Sequence, residues 1–299
     1  MIYQHPLAYL LGLEGIALLR AWAGEYDKAF VEARLSEVRQ LLDNEALVNH
    51  SGVMVNRGDT MTGYRQWSAT YDQPGNGLFD CDEPIMHEIL DVLPSGDALD
   101  AACGTGRYAG HLAARGHQVV GVDSSPDMLD RARARVPQGE FLLGDLHQLP
   151  LPDDAVDLVV SGLALAHVPA LEPVMAEFAR VLRPGGHLVI SDTHHERIFR
   201  GSVVKVLGPT GEPGLVATYR HTAGDFLRGA LPAGLLVRRC EEPQAPAVDQ
   251  PSHRSPEVEL EVGSWRDWPW SLMDLVPEAT RTAGGTPLVI IWHFQLADC

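Results

Sequence analysis

The sequence predicts an α/β chain, a largely parallel sheet with helices on both faces. Three observations carry that expectation. From Asp82 onward, short apolar runs alternate with amphipathic segments of helical length. The first run, Ala98 to Ala101, passes into the small-residue turn AACGTGR. Successive runs end at, or lead straight to, a carboxylate: Asp100, Asp123 and Asp145. Strands joined through helices need crossover connections, and these are right-handed and cover both faces of a parallel sheet.

The elements follow in order. Leu11, Leu18 and Trp22, then Phe30, Leu35, Val38 and Leu42, fall at helical spacing and predict two helices broken near Gly24. These helices pack on the main core or on a second subunit, or form a lid. Asn44 to Thr62 shows little periodicity and is expected to cross the surface. Tyr64, Trp67 and Tyr71 share one helix face, as core or as ligand contacts. Pro84 to Leu93 reads as a helix with Pro84 in its first turn. Strands are expected at Ala98–Ala101, Gln118–Val122, Glu140–Leu143, Ala155–Ser161 and His187–Ser191, with helices at Tyr108–Arg115, Pro126–Arg135 and Leu171–Leu182. Val203–Leu207 and Leu215–Arg220 flank the turn GPTGEPG and predict a hairpin. A helix at Ala223–Leu231 and a strand at Leu235–Arg239 follow. A Pro-rich loop, a segment bearing Trp265, Trp268 and Trp270, and a buried last strand at Pro287–Phe294 complete the chain. Residues 1–62 thus read as a helical extension and 63–299 as the main domain, with 193–222 and 241–286 as substrate elements.

Composition narrows the function classes. Lys plus Arg total 23 against 40 Asp plus Glu, a net charge of -17, which disfavours a phosphate backbone as partner. Glu14 interrupts the apolar stretch Leu7–Leu19 and Arg20 closes it, too soon for a membrane span. No basic stretch precedes it, so a signal peptide is not expected. The four cysteines are scattered, without CxxC, and fit free thiols in a reducing compartment, the cytoplasm.

The chemistry lies at the strand ends, where open parallel sheets bind ligands. Gly104 and Gly106 allow a bulky ligand to approach the backbone. With Ala109 they also satisfy a loose dinucleotide fingerprint, so the turn alone does not choose the nucleotide. Asp123 suits the vicinal hydroxyls of a ribose. Asp145 suits an exocyclic amine and the Leu146 amide a ring nitrogen. Asp100 near the turn favours an ammonium group over a pyrophosphate.

DAACGTGR, GVDSS, GDLHQLPLPDDAVDLVV and LRPGGHLVISD, in that order, resemble the ordered motifs of class I S-adenosylmethionine (SAM) dependent methyltransferases, the group that includes ubiquinone and menaquinone methylases. The resemblance covers Tyr64 to Asp192 and implies a Rossmann-like, seven-stranded, mostly parallel sheet whose last strand enters antiparallel between the fifth and sixth. SAM would be the cofactor and S-adenosylhomocysteine (SAH) the product. Carried over by position, Asp100, Gly104 and Gly106 surround the methionine part, with Ala102 where the family usually has glycine. Asp123 and Ser124 serve the ribose, Asp145 and Leu146 the adenine. Leu163 lies near the cofactor, and Tyr64 and Tyr71 match aromatic positions that close over it.

Methyl transfer needs a base only when the acceptor carries a proton to be removed. His167, after the fourth strand, is placed for that role or for a structural one, with Asp192 helping. The two are similar to the pair assigned as base in some sugar and polyketide O-methyltransferases. His194, His221 and Trp265 are candidate substrate contacts. No ligand spacing for a metal is present. The leading expectation is methyl transfer to an oxygen or nitrogen of a small metabolite, including secondary metabolites, by a protein free to form a homodimer. An NAD(P)-dependent oxidoreductase and a non-catalytic SAM-binding interaction protein are the alternatives.

Overall fold

A computed structural model describes residues 1–58, 77–208, 210–244 and 262–298. Tyr64, Trp67 and Tyr71 therefore lie outside the described residues. The chain divides into two compact units, Met1–Arg57 with Lys205–Leu215 and Pro246–Thr286, and Gly58–Val204 with Val216–Ala245 and Pro287–Cys299. The division expected at residue 62 follows the chain, whereas these units gather distant segments.

The larger unit is the expected α/β layer structure. Its strands are β1 (Asp97–Ala101), β2 (Gln118–Asp123), β3 (Glu140–Leu143), β4 (Val156–Gly162), β5 (Leu182–Thr193), β6 (Leu235–Glu241) and β7 (Val289–Leu296), in the order β6-β7-β5-β4-β1-β2-β3. Neighbours from β5 to β3 run parallel, and β7 lies antiparallel between β5 and β6, as the resemblance implies. Its helices are α1 (Gly77–Leu90), α2 (Arg107–Ala114), α3 (Pro126–Arg135), α4 (Glu172–Val181), α5 (His195–Phe199) and α6 (Ala223–Ala230).

Alternation along each strand feeds two cores. Leu188 and Ile190 pack with Phe178 of α4 and Phe226 of α6. Val189, between them in sequence, faces the opposite side with Met86 and Ile89 of α1. Helix α1 starts at Gly77, so Pro84 stands inside it rather than in its first turn. The apolar spacing of Phe79, Met86 and Ile89 carries the helix through the proline. Strand β5 begins earlier than expected, at Leu182, because the RPGG turn forms a register shift within the β4–β5 ladder.

The smaller unit holds the N-terminal helices Pro6–Trp22 and Lys28–Asp43, parted at Gly24 with φ of 96°. Its four-stranded sheet orders the segments Ile2–Gln4, Val53–Gly58, Pro213–Val216 and Lys205–Leu207. The expectation for Asn44 to Thr62 is thus corrected, because Val53–Gly58 is a strand. Only Val55 of that strand is buried, so alternation left a faint signal. A hairpin forms, pairing Lys205 with Leu215, but its second strand is Pro213–Val216 rather than Leu215–Arg220. The unit's own core gathers Leu10, Leu13, Leu47, Trp265, Trp268 and Leu272. Among the described residues, no helix is long and apolar enough to cross a membrane.

Candidate functional site

At the carboxyl ends of β1 to β4 the larger unit opens a cavity of about 370 Å³. The turn after β1 forms one wall. Ala102 and Gly104 take positive φ values of 58° and 53° and both line the cavity. A Cβ on Gly104 would meet nothing within 4 Å, so this glycine leaves room for a ligand. Gly106, with φ of 80°, caps helix α2 and does not line the cavity. Its Cβ would come within 3.1 Å of the Ala132 Cα.

The two lining carboxylates differ in surroundings. Asp123 ends β2; its Oδ2 accepts the Gly104 amide at 2.8 Å and its Oδ1 the Ser125 amide at 2.8 Å. Burial raises its pKa, against the pull of those amides. Each carboxylate oxygen has a second lone-pair site, which leaves acceptor capacity for a diol. Asp145 stands exposed at the mouth, where Oδ1 takes both the amide and the ring Nδ1 of His147, at 2.7 and 2.6 Å. Those bonds lower its pKa. Ser124, Leu146 and Leu163 also line the cavity, Leu163 at a positive φ of 57°.

Asp100 stands apart from this lining. It is buried beneath the turn, its Oδ2 accepts the Ala109 amide of α2 at 2.8 Å, and burial raises its pKa to about 7. Its observed work is to hold the helix that follows the turn.

His167 lines the cavity at the end of a 3-10 turn, Leu165–His167. Its Nδ1 lies 2.9 Å from the Ala217 carbonyl oxygen, and burial lowers its pKa. A carbonyl accepts only, so the proton sits on Nδ1 and the neutral ring presents a lone pair at Nε2. The segment Ala217–His221 continues along the turn: the Tyr219 amide donates to the Ala166 carbonyl at 2.7 Å, and His221 Nε2 lies 2.8 Å from the Val168 carbonyl. Asp192 is fully buried, takes the Ala166 and Thr193 amides, and has its pKa raised to about 7 by burial. It therefore supports the turn that carries His167 by accepting the Ala166 amide.

His221 is buried and spent on Val168. His194 is buried, with Nε2 at 3.2 Å from Glu242 Oε1. Trp265 belongs to the smaller unit, where its Nε1 donates to Gln4 Oε1 at 2.7 Å and Lys205 stands over its ring. Among the described residues no group of three metal-ligating side chains occurs. Sequence reasoning missed Val122, Ser125, Met128, Gly144, His147, Gly162, Ala164 and Val168 in the lining. The position of His147, two residues past Asp145, was the one available signal.

The lining holds two carboxylates and, among the described residues, no lysine or arginine. A pyrophosphate would meet like charge there, whereas a ligand with a ribose, an amine and a cationic sulfonium meets acceptors. With the open cradle at Gly104, these residues fit SAM.

Strand order and site position together define the class I methyltransferase fold. Residues 99–190 match the family described as "Methyltransferase domain". The chain is 43% identical over 145 residues to the malonyl-[acyl-carrier protein] O-methyltransferase of Serratia marcescens, covering 46% of this chain and 56% of that protein. It is 41% identical over 119 residues to an uncharacterized methyltransferase of Mycobacterium bovis, covering 38% of this chain and 48% of the relative. The chain thus spans about a quarter to a little over half of the length of the curated relatives it matches, from 25% to 56%. In fold it is similar to a SAM-dependent methyltransferase of Mesorhizobium loti, with a TM-score of 0.50 at 22% identity over 71% of this chain and 96% of the other. It is similar also to the structure of the DhpI–SAH complex, with a TM-score of 0.51 at 22% identity over 78% and 93%.

Proposed function

We propose that this protein is a SAM-dependent methyltransferase that moves a methyl group to an oxygen or nitrogen of a small metabolite, secondary metabolites included, by in-line displacement. The observation that carries the reading is the acidic lining, without lysine or arginine among the described residues, around an open glycine cradle at the strand ends. Bound SAM supplies an electrophilic methyl group on a sulfonium.

The chain's own residues do the rest. Asp123 binds the ribose hydroxyls, Asp145 and the Leu146 amide the adenine, and the Gly104 turn the methionine part. The apolar lining of Val122, Met128, Leu163 and Val168 excludes water, which strengthens every polar contact inside. His167 takes the acceptor's proton at Nε2 as the nucleophile attacks, and Ala217 holds the ring in the tautomer that allows it. The Serratia relative's name, an O-methyltransferase, supports oxygen as the receiving atom. A net charge of -17 supports a small-molecule acceptor over nucleic acid, and the four scattered cysteines suit a cytoplasmic protein.

The test is transfer of label from methyl-tritiated SAM to a panel of hydroxylated and amino-bearing small molecules. Label in at least one acceptor is expected, with SAH formed in equal amount. SAM binding without label in any acceptor would favour the non-catalytic alternative.

A further inference from the structure

Behind the cavity lies a buried polar network that the mechanism above does not use. Asp82 of α1 is fully buried, and both its oxygens meet the Arg107 guanidinium, at 2.9 and 3.0 Å. Its Oδ2 also accepts the Tyr108 hydroxyl at 2.8 Å and the Ser191 hydroxyl at 2.7 Å. The guanidinium stands over the rings of Phe79 and Tyr108, 4.2 Å from each centroid. Burying such a pair is costly compared with an apolar substitute, and its retention calls for a role beyond stability.

The contacts close a circuit that ends on the cavity wall. The Tyr108 ring fills the space where a Cβ on Gly162 would stand, so only glycine lets the ring in. Leu163 follows Gly162, and its amide donates to the Ser191 carbonyl at 2.7 Å. Ser191 thus holds Asp82 through its hydroxyl and Leu163 through its carbonyl. Leu163 occupies the left-handed region, φ 57°, which disfavours a leucine and persists only where its surroundings over-determine it. Gly162, Leu163 and Ala164 all line the cavity.

We infer that the Asp82–Arg107–Tyr108–Ser191 network is a positioning device that locks Leu163 in its left-handed conformation and so sets the shape of the cofactor wall. The inference rests on the proposed SAM site for its functional consequence and on the circuit of contacts for its physical one. Tyr108 and Ser191 are positioning residues that act through Leu163.

Two readouts separate these levels. Hydrogen exchange of the Leu163 amide needs no ligand: Tyr108→Phe and Ser191→Ala should each speed it at least about tenfold while the melting temperature shifts little. Unchanged exchange in both variants overturns the inference. Calorimetry with SAH should then show about threefold to tenfold weaker binding in each variant. Asparagine tolerates the left-handed region, so in a Leu163→Asn background the loss caused by Tyr108→Phe should shrink; an equal loss in both backgrounds would mark Tyr108 as ordinary packing and also overturn it. If the wild type binds no SAH, the methyltransferase reading fails, and the exchange data alone decide whether the network holds Leu163.

Discussion

The Nδ1 atom of His167 lies 2.9 Å from the carbonyl oxygen of Ala217, 50 residues further along the chain. This bond places the ring proton on the side away from Nε2, and burial favours the uncharged ring. A histidine held neutral is a base that stays competent in mildly acidic solution.

His167→Ala is expected to lower turnover by about 10² to 10⁴, the usual contribution of a positioned base. In the wild type, turnover should hold as pH falls through about 6.5, the free imidazole value, and decline only below it. Stability follows the same sign. The folded pKa is depressed, so this histidine's contribution is present above about pH 6.5 and is lost as pH falls through the folded value. Unchanged turnover of the variant at every pH would remove His167 as base.

Asp123→Ala should weaken SAM and SAH binding by more than about tenfold, since it removes acceptors for the ribose and strands the Gly104 and Ser125 amides. Calorimetry checks this. Equal affinity in variant and wild type would contradict the ribose assignment.

Gly106→Ala should destabilise the fold by about 1–2 kcal/mol, because φ of 80° is strained for alanine and its Cβ would press on Ala132. Gly110→Ala, inside the same helix and only 3.6 Å from the flexible Arg135 side chain, should be neutral or stabilising by about 0.5–1 kcal/mol. Urea denaturation of the two variants gives the comparison. Equal effects would mean the turn is not strained.

Asp192 carries a pKa raised to about 7 by burial, so the fold binds a proton that the unfolded chain releases near pH 3.9. Its contribution is fully present below about pH 3.9 and is lost as pH rises through about 7. Asp192→Asn, which cannot ionise, should therefore gain stability relative to wild type between pH 5 and pH 8, by about 1 kcal/mol or more. A difference that stays constant with pH would show that Asp192 is ionised in the fold at pH 5.

Legibility followed the range of the interactions. Period-two and helical patterns made β1 to β7 readable within a few residues, because each depends on neighbours in sequence. The antiparallel place of β7 was not in its LVIIWHF run, which suits any buried strand, and came only from ordered motifs. Asp123, Asp145 and the Gly104 turn could be placed because strand ends converge on one edge of the sheet. Asp100 could not, since adjacency to the turn does not tell whether a carboxylate faces the cavity or the Ala109 amide beneath it. The Asp82 circuit was invisible for a stronger reason: its partners lie 25, 26 and 109 residues away. The same holds for Val53–Gly58, whose partners come from the far N-terminus and from the hairpin beyond β5.

The central claim is that the acidic strand ends hold an adenosyl sulfonium cofactor and reject a pyrophosphate. Isothermal calorimetry of the wild-type protein against SAH and against NADH tests it most directly. The account predicts one SAH bound per chain, with affinity that collapses in Asp123→Ala, and no heat of binding for NADH. Saturable binding of NADH with none of SAH would contradict it.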